Sequence, residues 1–271
     1  MDKGLNQIVA QALRGDKSAV EKIVEEIKDS IYNLSLKMLL FPEDAQDATQ
    51  EILIKIITHL STFQGKSEFK TWVYRIATNY LLTEKSKKNR QAKEMSFEEY
   101  AVQIDSGQSK EVLFTRNAGE ISLLEEEVKV SCTHGLLHCL SPAGRLVYIL
   151  GDVLEFNSTE GAEILEMTAA NFRKQLSRSR EKIKNFLTAK CGLVNADNPC
   201  RCKRKVDFLI DQQMINPNSL RFANHTNRSI DMFHKIDSLD KTLSVFRSVP
   251  VIGAPAEILQ EVRNTINATM I

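Results

Sequence analysis

Residues 63–93 combine aromatic side chains with a run of cations. Apolar and aromatic residues recur there at steps of three and four, which predicts one face of a helix over residues 69–84. The predicted face consists of Phe69, Trp72, Val73, Ile76, Ala77, Tyr80 and Leu81. Cations follow it directly, at Lys85, Lys87, Lys88, Arg90 and Lys93. Because aromatic rings stack on unpaired bases and cations neutralise phosphates, the stretch indicates nucleic-acid binding. The pattern leaves open a buried aromatic stripe that ends in a solvated basic turn.

A second basic segment, residues 158–187, has the spacing of a helix-turn-helix. Ser158 or Thr159 is predicted to cap a short helix, a turn follows at residues 166–168, and a longer helix covers residues 169–187. The buried positions of the longer helix are predicted to be Phe172, Leu176, Ile183 and Phe186. Its many cations lie outside this stripe, as expected of a helix that enters the major groove of DNA. A plain helical hairpin is the alternative.

Three cysteines, Cys191, Cys200 and Cys202, lie in one turn-rich segment, and His225 and His234 follow. Three thiols and one imidazole could form a tetrahedral zinc site. The one-residue gap between Cys200 and Cys202 does not match the usual two-residue gap, so we favour free cysteines and predict no metal and no cofactor. A thiol switch is a third interpretation, because the neighbouring cations at Arg201, Lys203, Arg204 and Lys205 would favour thiolate.

The composition bounds the class of protein. A chain of 271 residues has room for two or three domains. Its 36 Lys+Arg nearly balance its 35 Asp+Glu, which argues against a uniformly cationic surface. The charge is segregated instead: residues 83–93 and 171–184 are basic, and residues 94–127 are acidic. This distribution predicts two basic surfaces joined by an acidic connector.

The sequence also lacks the features of several other classes. No apolar run approaches the eighteen or so residues of a membrane span, and the first residues do not resemble a secretory signal. Five cysteines, an odd number, argue against a disulfide framework. No cluster supplies a nucleophile, an acid–base pair or a phosphate cradle. We therefore expect a cytoplasmic protein that is neither an enzyme nor inserted in a membrane.

Three amphipathic helices are predicted before the aromatic stretch, over residues 5–14, 17–40 and 43–60. The third begins at Pro42 and carries acids in its first turn, where they favour the helix dipole. Its polar residues lie largely away from the apolar stripe. They are Asp44, Asp47, Gln50 and Glu51.

The run DAQDATQEILIKIITHLSTFQGKSEFKTWVYRIATN resembles the second region of bacterial sigma factors of the extracytoplasmic-function group, and the likeness covers nearly all of residues 5–93. The resemblance implies that the acidic helix docks on core RNA polymerase through Asp44, Asp47, Gln50 and Glu51. It also implies that the following loop captures a flipped base of the minus-ten element, at an unstacking cost of a few kcal/mol. The residues concerned are Phe63, Gly65, Lys66 and Ser67 in the loop and Asn79 on the helix behind it.

Trp72 lies in the segment that melts the strands in this family, and a core anchor and a melting wedge remain equal alternatives for its role. The cations Lys87, Lys88 and Arg90 are assigned to the same minus-ten DNA.

Residues 128–190 resemble the fourth region of the same family, which reads the minus-thirty-five element. By this resemblance Asn171, Arg173, Lys174 and Gln175 face the groove, and Arg178 and Arg180 touch phosphates. Phosphate contacts set position, whereas base contacts set sequence preference. Two positions depart from the family pattern, with Glu166 in place of the turn glycine and Gly161 in place of a branched apolar residue.

We therefore predict an all-α protein of two small helical domains joined by a flexible linker, with a C-terminal helical extension. The predicted boundaries are residues 1–93 for region 2, 94–127 for the linker, 128–190 for region 4 and 191–271 for the extension. The linker is predicted to contain at most a short helix near residues 96–102, and its acids could mimic RNA charge. The extension is predicted to form helices over residues 237–246 and 255–266, which either fold back on a promoter-binding domain and hold it inactive or only stabilise region 4.

The expected function is that of a sigma factor. It binds core RNA polymerase and promoter DNA, melts the minus-ten element and so directs transcription initiation, with an anti-sigma factor as a further candidate partner. The sequence leaves two alternatives open. One is a helix-turn-helix regulator that acts without polymerase, and the other is a metal- or redox-sensing regulator that acts through the cysteine segment.

Overall fold

The computed structural model describes residues 3–88, 95–107, 118–223 and 241–269. Within these ranges the regular structure is helical, which confirms the predicted all-α class, and one isolated bridge pairs Cys191 with Cys200. No helix in the described ranges is long and apolar enough to cross a membrane. The helices are α1 (Lys3–Ala12), α2 (Lys17–Leu39), α3 (Pro42–Thr58), α4 (Phe69–Lys88), α5 (Phe97–Asp105), α6 (Ala118–Leu137), α7 (Pro142–Tyr148), α8 (Ser158–Ile164), α9 (Ala169–Lys190), α10 (Cys202–Asp211), α11 (Lys241–Arg247) and α12 (Ala256–Thr269).

The chain forms two compact units. The first comprises Met1–Gln91, Phe156–Phe172 and Gly253–Ile271, and the second comprises Ala92–Glu155 and Arg173–Ile252. Each unit is therefore assembled from chain segments that are distant in sequence.

The start of the first unit follows the predicted helices closely. The Asp16 side chain caps α2 by accepting from the backbone N–H of Ser18 at 2.9 Å, and Pro42 occupies the first turn of α3. The apolar residues that recur at steps of three and four along α2 are all buried. They are Val20, Ile23, Val24, Ile27, Ile31, Leu34 and Met38.

Helix α4 is buried more widely than its apolar stripe predicts. Tyr74 lies outside that stripe, yet it is buried, because its ring meets Phe156 edge-on at a centroid distance of 5.0 Å. Lys70 lies 4.3 Å from the centroid of Phe156, and Arg75 pairs with Glu163 of α8 at 3.0 Å. Helix α8 and the residues before it therefore cover a second side of α4.

The first helix of the predicted helix-turn-helix begins one residue earlier than expected. Asn157, not Ser158 or Thr159, is the N-cap, because its side chain accepts from the N–H groups of Thr159 and Glu160 while Glu160 bonds back to the Asn157 N–H. An amide oxygen with a glutamate three residues later forms the reciprocal pair of a capping box.

The end of the predicted acidic linker is not a solvated connector. Helix α6 starts at Ala118, and Glu126 and Glu127 are buried within it. The Glu127 carboxylate accepts the backbone N–H groups of Arg221, Phe222 and Ala223, each at 2.9 Å. Glu127 therefore anchors the extension, so it cannot mimic RNA charge as the linker hypothesis requires.

The second unit also buries a cation at the junction of α6 and α7. Arg145 has no exposed surface, and its guanidinium donates to the carbonyls of Leu137, His138 and Leu140 at 2.8–3.2 Å. The Leu137 carbonyl belongs to the last turn of α6, where backbone acceptors lack partners within the helix, and the other two belong to the turn that follows. Arg145 thus fixes the turn between the two helices.

The extension packs through several short elements. Helix α10 lies against α6 around a cluster that includes Leu124, Val128 and Val206. Helix α11 packs on the π-helical turn Ile149–Val153, and its Phe246 ring lies 5.3 Å from that of Tyr148, the last residue of α7. The helix predicted over residues 237–246 is observed from Lys241, and its earlier residues lie outside the described ranges. Helix α12 matches the prediction for residues 255–266 and packs on α2 and α3.

Candidate functional site

The polar side of α3 follows from its helical register. Asp47 and Glu51 are exposed, and Asp44 and Gln50 are half-buried. The Gln50 amide donates a hydrogen bond to the Glu261 carboxylate of α12. The predicted polymerase-binding residues therefore share one side of α3, but Gln50 at its edge already contacts another part of the chain.

Three aromatic rings form a cluster at the start of α4. Phe63 lies 5.3 Å from Phe69 and 5.6 Å from Trp72, and Phe69 stacks on Trp72 at 5.7 Å with an interplanar angle of 26°. Phe69 is buried, whereas Phe63 and Trp72 are half-buried. The cluster therefore presents aromatic surface at the border of the core.

Two clefts of about 460 Å³ each flank this cluster. The first, which we call the Trp72 cleft, lies between α3 and α4. It is lined by Lys55, His59, Thr62, Trp72, Ile76, Asn79, Tyr80 and Thr83. The second, which we call the Gly65 cleft, lies between α1 and the loop before α4. It is lined by Asn6, Val9, Ala10, Leu13, Phe63, Gln64, Gly65, Ser67, Glu68 and Phe69.

The structure divides the predicted minus-ten residues between the two clefts. Trp72 and Asn79 line the Trp72 cleft, and Phe63, Gly65 and Ser67 line the Gly65 cleft. Gly65 has φ +66°, a left-handed conformation that suits glycine, and Lys66 is exposed in the same loop. Asn79 thus does not share a cleft with the loop residues that the resemblance groups with it.

The Trp72 cleft contains residues that the sequence interpretation did not assign. Lys55 and His59 come from α3 and its end, and the Lys55 ammonium lies 5.9 Å from the ring centroid of Tyr80. The four-residue spacing of Lys55 and His59 places them on one helix face, and this spacing is the feature of the sequence that could have identified them. The cleft therefore combines a cation, an imidazole, an amide and two aromatic rings, which together suit a nucleobase and its phosphate.

Trp72 has features of both predicted roles, since it packs in the ring cluster and also lines the cleft. The backbone of α4 includes Lys87 and Lys88, but their side chains and all of Arg90 lie outside the described residues.

The basic residues of α9 face away from its core. Phe172, Leu176, Ile183 and Phe186 are buried as predicted. In the second unit Arg173, Lys174 and Arg178 are exposed and Gln175 is half-buried, while Asn171 in the first unit is exposed. These exposed cations form a charged strip that could contact phosphate.

Arg180 has a protein partner. Its Nε donates to both carboxylate oxygens of Asp152 at 2.9 Å, and its Nη2 donates to one of them at 2.5 Å. The Asp152 side chain is 1% exposed, whereas that of Arg180 is 52% exposed. Arg180 therefore holds α9 to the π-helical turn, a role that the sequence did not indicate.

The cysteines of the extension are free, and the raised pKa values of Cys200 and Cys202 argue against the predicted thiolate. Burial raises the pKa of Cys202 well above its usual value and also raises the pKa of Cys200, and neighbouring thiols add to both effects. The nearby cations lower the pKa of Cys200 by less than burial raises it. Among the described residues no group of three or more His, Cys, Asp or Glu is arranged to hold a metal ion, and His225 and His234 lie outside those residues.

Comparison with known proteins adds independent observations. The family model described as Sigma-70 region 2 matches residues 23–91. The chain is 26% identical over 192 residues to the ECF RNA polymerase sigma factor SigW of Bacillus subtilis, covering 69% of this chain and 98% of SigW. It is 25% identical to the RNA polymerase sigma-H factor of Pseudomonas aeruginosa, covering 67% of this chain and 92% of that factor.

A third relative is the ECF RNA polymerase sigma-E factor of Haemophilus influenzae, which is 29% identical over 66% of this chain and 92% of its own length. A solved structure of CnrH in complex with the cytosolic domain of CnrY aligns with 66% of this chain and 94% of that chain, at a TM-score of 0.48 and 17% identity. The family match coincides with the part of the first unit that holds the acidic side of α3 and the Trp72 cleft. Residues 23–91 thus match Sigma-70 region 2, and about two thirds of the chain is similar to bacterial RNA polymerase sigma factors, among them members of the extracytoplasmic-function group.

Proposed function

We propose that the chain is a sigma factor that binds core RNA polymerase through the acidic side of α3, takes an unpaired minus-ten base in the Trp72 cleft and binds minus-thirty-five duplex through α9. It would act in the cytoplasm, without catalytic chemistry of its own. The observation that carries the proposal is the Trp72 cleft within the matched region, because it combines stacking surface, an amide and a cation.

The base-binding step rests on the contents of that cleft. Trp72 and Tyr80 offer ring faces for stacking, and the Asn79 amide can both donate to and accept from a base edge. Lys55 supplies a positive charge for the phosphate beside an extruded base. Base stacking on an aromatic residue is worth about 1–3 kcal/mol, which is comparable with the cost of unstacking.

The matched pair Asn79→Ala and Asn6→Ala tests which cleft binds the base. Both residues are exposed, but Asn79 lines the Trp72 cleft and Asn6 lines the Gly65 cleft. With holoenzyme and a premelted minus-ten bubble, we expect Asn79→Ala to lower affinity by roughly 5- to 100-fold and to change base preference. Asn6→Ala should leave both unchanged. A loss of affinity with Asn6→Ala and none with Asn79→Ala would instead assign base binding to the Gly65 cleft.

Polymerase binding is proposed for the exposed acids of α3. Asp47→Lys and Glu51→Lys reverse charge on that side, whereas Glu21→Lys does so at an exposed position on α2. Because like charges oppose a complementary interface, the α3 variants should bind core polymerase at least about tenfold more weakly. Equal losses for Glu21→Lys would assign the effect to net charge alone.

Duplex recognition is proposed for α9, with base contact by Gln175 and phosphate contact by Arg178. Gln175→Ala should change the preferred minus-thirty-five sequence. Arg178→Ala should weaken all promoters together and reduce the slope of log affinity against log salt by about 1. If both variants weaken every promoter equally, this division of roles is wrong.

Reconstitution tests the whole proposal. Purified chain and bacterial core polymerase are incubated with a library of promoters, and the transcripts are sequenced. We expect initiation from a subset that shares two elements, and no initiation by core polymerase alone. A chain that binds DNA unaided but does not bind core polymerase would contradict the proposal.

A further inference from the structure

Helix α12 covers a surface of region 2. Ile258, Val262 and Ile266 recur at four-residue steps along it and are 0%, 0% and 1% exposed. The helix packs on both α2 and α3, about 200 residues earlier in the chain. The apolar stripe of α12 is therefore buried against α2 and α3, and α3 is the helix proposed to contact polymerase.

Polar contacts fix the position of α12 on this surface. The backbone N–H of Ala254 donates to Asp29 Oδ1 at 2.9 Å, just before the helix begins. Arg263 lies 3.7 Å from Glu25 of α2, and Glu261 accepts from the Gln50 amide of α3. These contacts hold α12 in one register between α2 and α3.

The contact between Gln50 and Glu261 places α12 beside the acidic side of α3. At 3.6 residues per turn, Gln50 is about 60° around α3 from Asp47, on the same side of the helix. A helix with its side chains is about 10–12 Å wide. Since α12 sits at Gln50, it occupies the space that a helical partner would need to reach this edge of α3.

We propose that α12 competes with core RNA polymerase for region 2 and must leave α2 and α3 before polymerase can bind there. The inference rests on the proposed role of α3 and adds a control on access to it. Because α12 belongs to the same chain, the fraction of molecules in which it covers α2 and α3, the closed form, depends on an intramolecular equilibrium and not on protein concentration. Only the open fraction binds polymerase, and the apparent dissociation constant is the intrinsic one divided by that fraction.

The first test uses the full chain with Val262→Asp, which places a charge in the buried stripe of α12. Asn264→Asp is the matched control, because it adds the same residue at an exposed position of the same helix. We expect Val262→Asp to bind core polymerase at least about tenfold more tightly than the natural sequence. Asn264→Asp should bind as the natural sequence does.

Hydrogen exchange on the free variants shows whether α12 has been released while α2 and α3 remain folded. Released α12 with unchanged polymerase affinity would overturn the inference. Weaker binding by a variant that keeps α2 and α3 folded would also overturn it, because α12 would then support polymerase binding.

A second pair of variants decides the matter if Val262→Asp does not fold. Arg263→Glu and Glu25→Lys each replace an attraction by a repulsion at the surface, and each should tighten polymerase binding by about two- to fivefold. The double variant restores an opposite pair and should return affinity to that of the natural sequence. Single variants without effect, or a double variant that does not reverse them, would contradict competition.

The outcomes also separate the two proposals. If no variant and no natural chain binds core polymerase, the proposed function of α3 is wrong. If all of them bind equally well, only the competition by α12 is wrong.

Discussion

Lys37 is a cation enclosed by the first unit. It is 8% exposed, and its ammonium lies 3.5 Å from the Asn33 carbonyl. Burial lowers the pKa of Lys37 from 10.5 to about 8. Between these two values the unfolded chain keeps a proton that the folded chain has lost, so the free energy of unfolding rises with pH across this window.

Lys37→Met removes this pH dependence. A pKa difference of this size corresponds to about 3 kcal/mol, so the natural chain should gain stability from pH 7 to pH 9.5 and the variant should gain much less. At pH 7 the variant should be more stable by about 1–3 kcal/mol, because it buries no charge. Urea unfolding at both pH values measures this, with the exposed Lys22→Met as control. An equal rise in the Lys37 variant would show that another group causes it.

The structure explains why Gly161 and Glu166 depart from the family pattern. A Cβ on Gly161 would lie 2.4 Å from the Phe172 ring, so glycine makes room for an aromatic residue where the family has a branched one. Glu166 has φ 52°, which is the left-handed conformation that favours the family's glycine. The turn thus has the geometry that the pattern requires, although its residues differ.

Gly161→Ala should therefore destabilise the protein by about 1–3 kcal/mol, although alanine normally favours a helix by about 1 kcal/mol. Gly4→Ala in α1 is the control, because no atom lies within 4 Å of its added Cβ and no loss is expected. Denaturant midpoints compare the two. A stable Gly161→Ala variant would mean that Phe172 can move aside without loss.

At the scale of elements, Arg180 and Asp152 join α9 to the π-helical turn. Arg180→Ala leaves a buried carboxylate without its charged partner, which typically costs about 3–5 kcal/mol. The double variant with Asp152→Ala should recover part of that loss, since no unpaired charge remains. Thermal unfolding and DNA binding are measured on the same samples. Weaker binding to every promoter at unchanged stability would instead support the predicted phosphate contact.

Elements differ in how far the sequence predicts them. The period of α2 and α12 predicts which of their faces is buried, because that period is local to each helix. The period does not identify the surface against which that face packs. Only the structure shows that α12 packs on α2 and α3 and that Tyr74 contacts Phe156. Glu127 was misassigned for a related reason. A glutamate is exposed by default, and its three N–H partners lie more than 90 residues away.

For the whole molecule, the first unit is built from three separate chain segments. The sequence predicts region 2 as residues 1–93, but in the structure Phe156 and α12 complete the burial of its helices. A fragment of residues 1–93 would expose Tyr74 and the surface beneath α12. The boundary of the predicted domain is therefore not the boundary of the compact unit.

This fragment should be less stable than the same helices in the full chain by at least about 2 kcal/mol, the value of burying one large apolar side chain. Hydrogen exchange of α2 and α3 in both proteins measures the difference. A shorter comparison chain, residues 1–252, removes only α12 and its lead-in segment and should lose part of the protection. Equal protection in all three would mean that the distant segments add nothing to the fold.

The order of synthesis gives the position of α12 a further consequence. A ribosome completes α3 about 200 residues before α12, which at 5–20 residues per second is roughly 10–40 s. Throughout that interval α12 has not been synthesised, so it does not cover α2 and α3 of the growing polypeptide. Under the proposed competition, polymerase that binds a chain still being translated therefore does not have to displace α12.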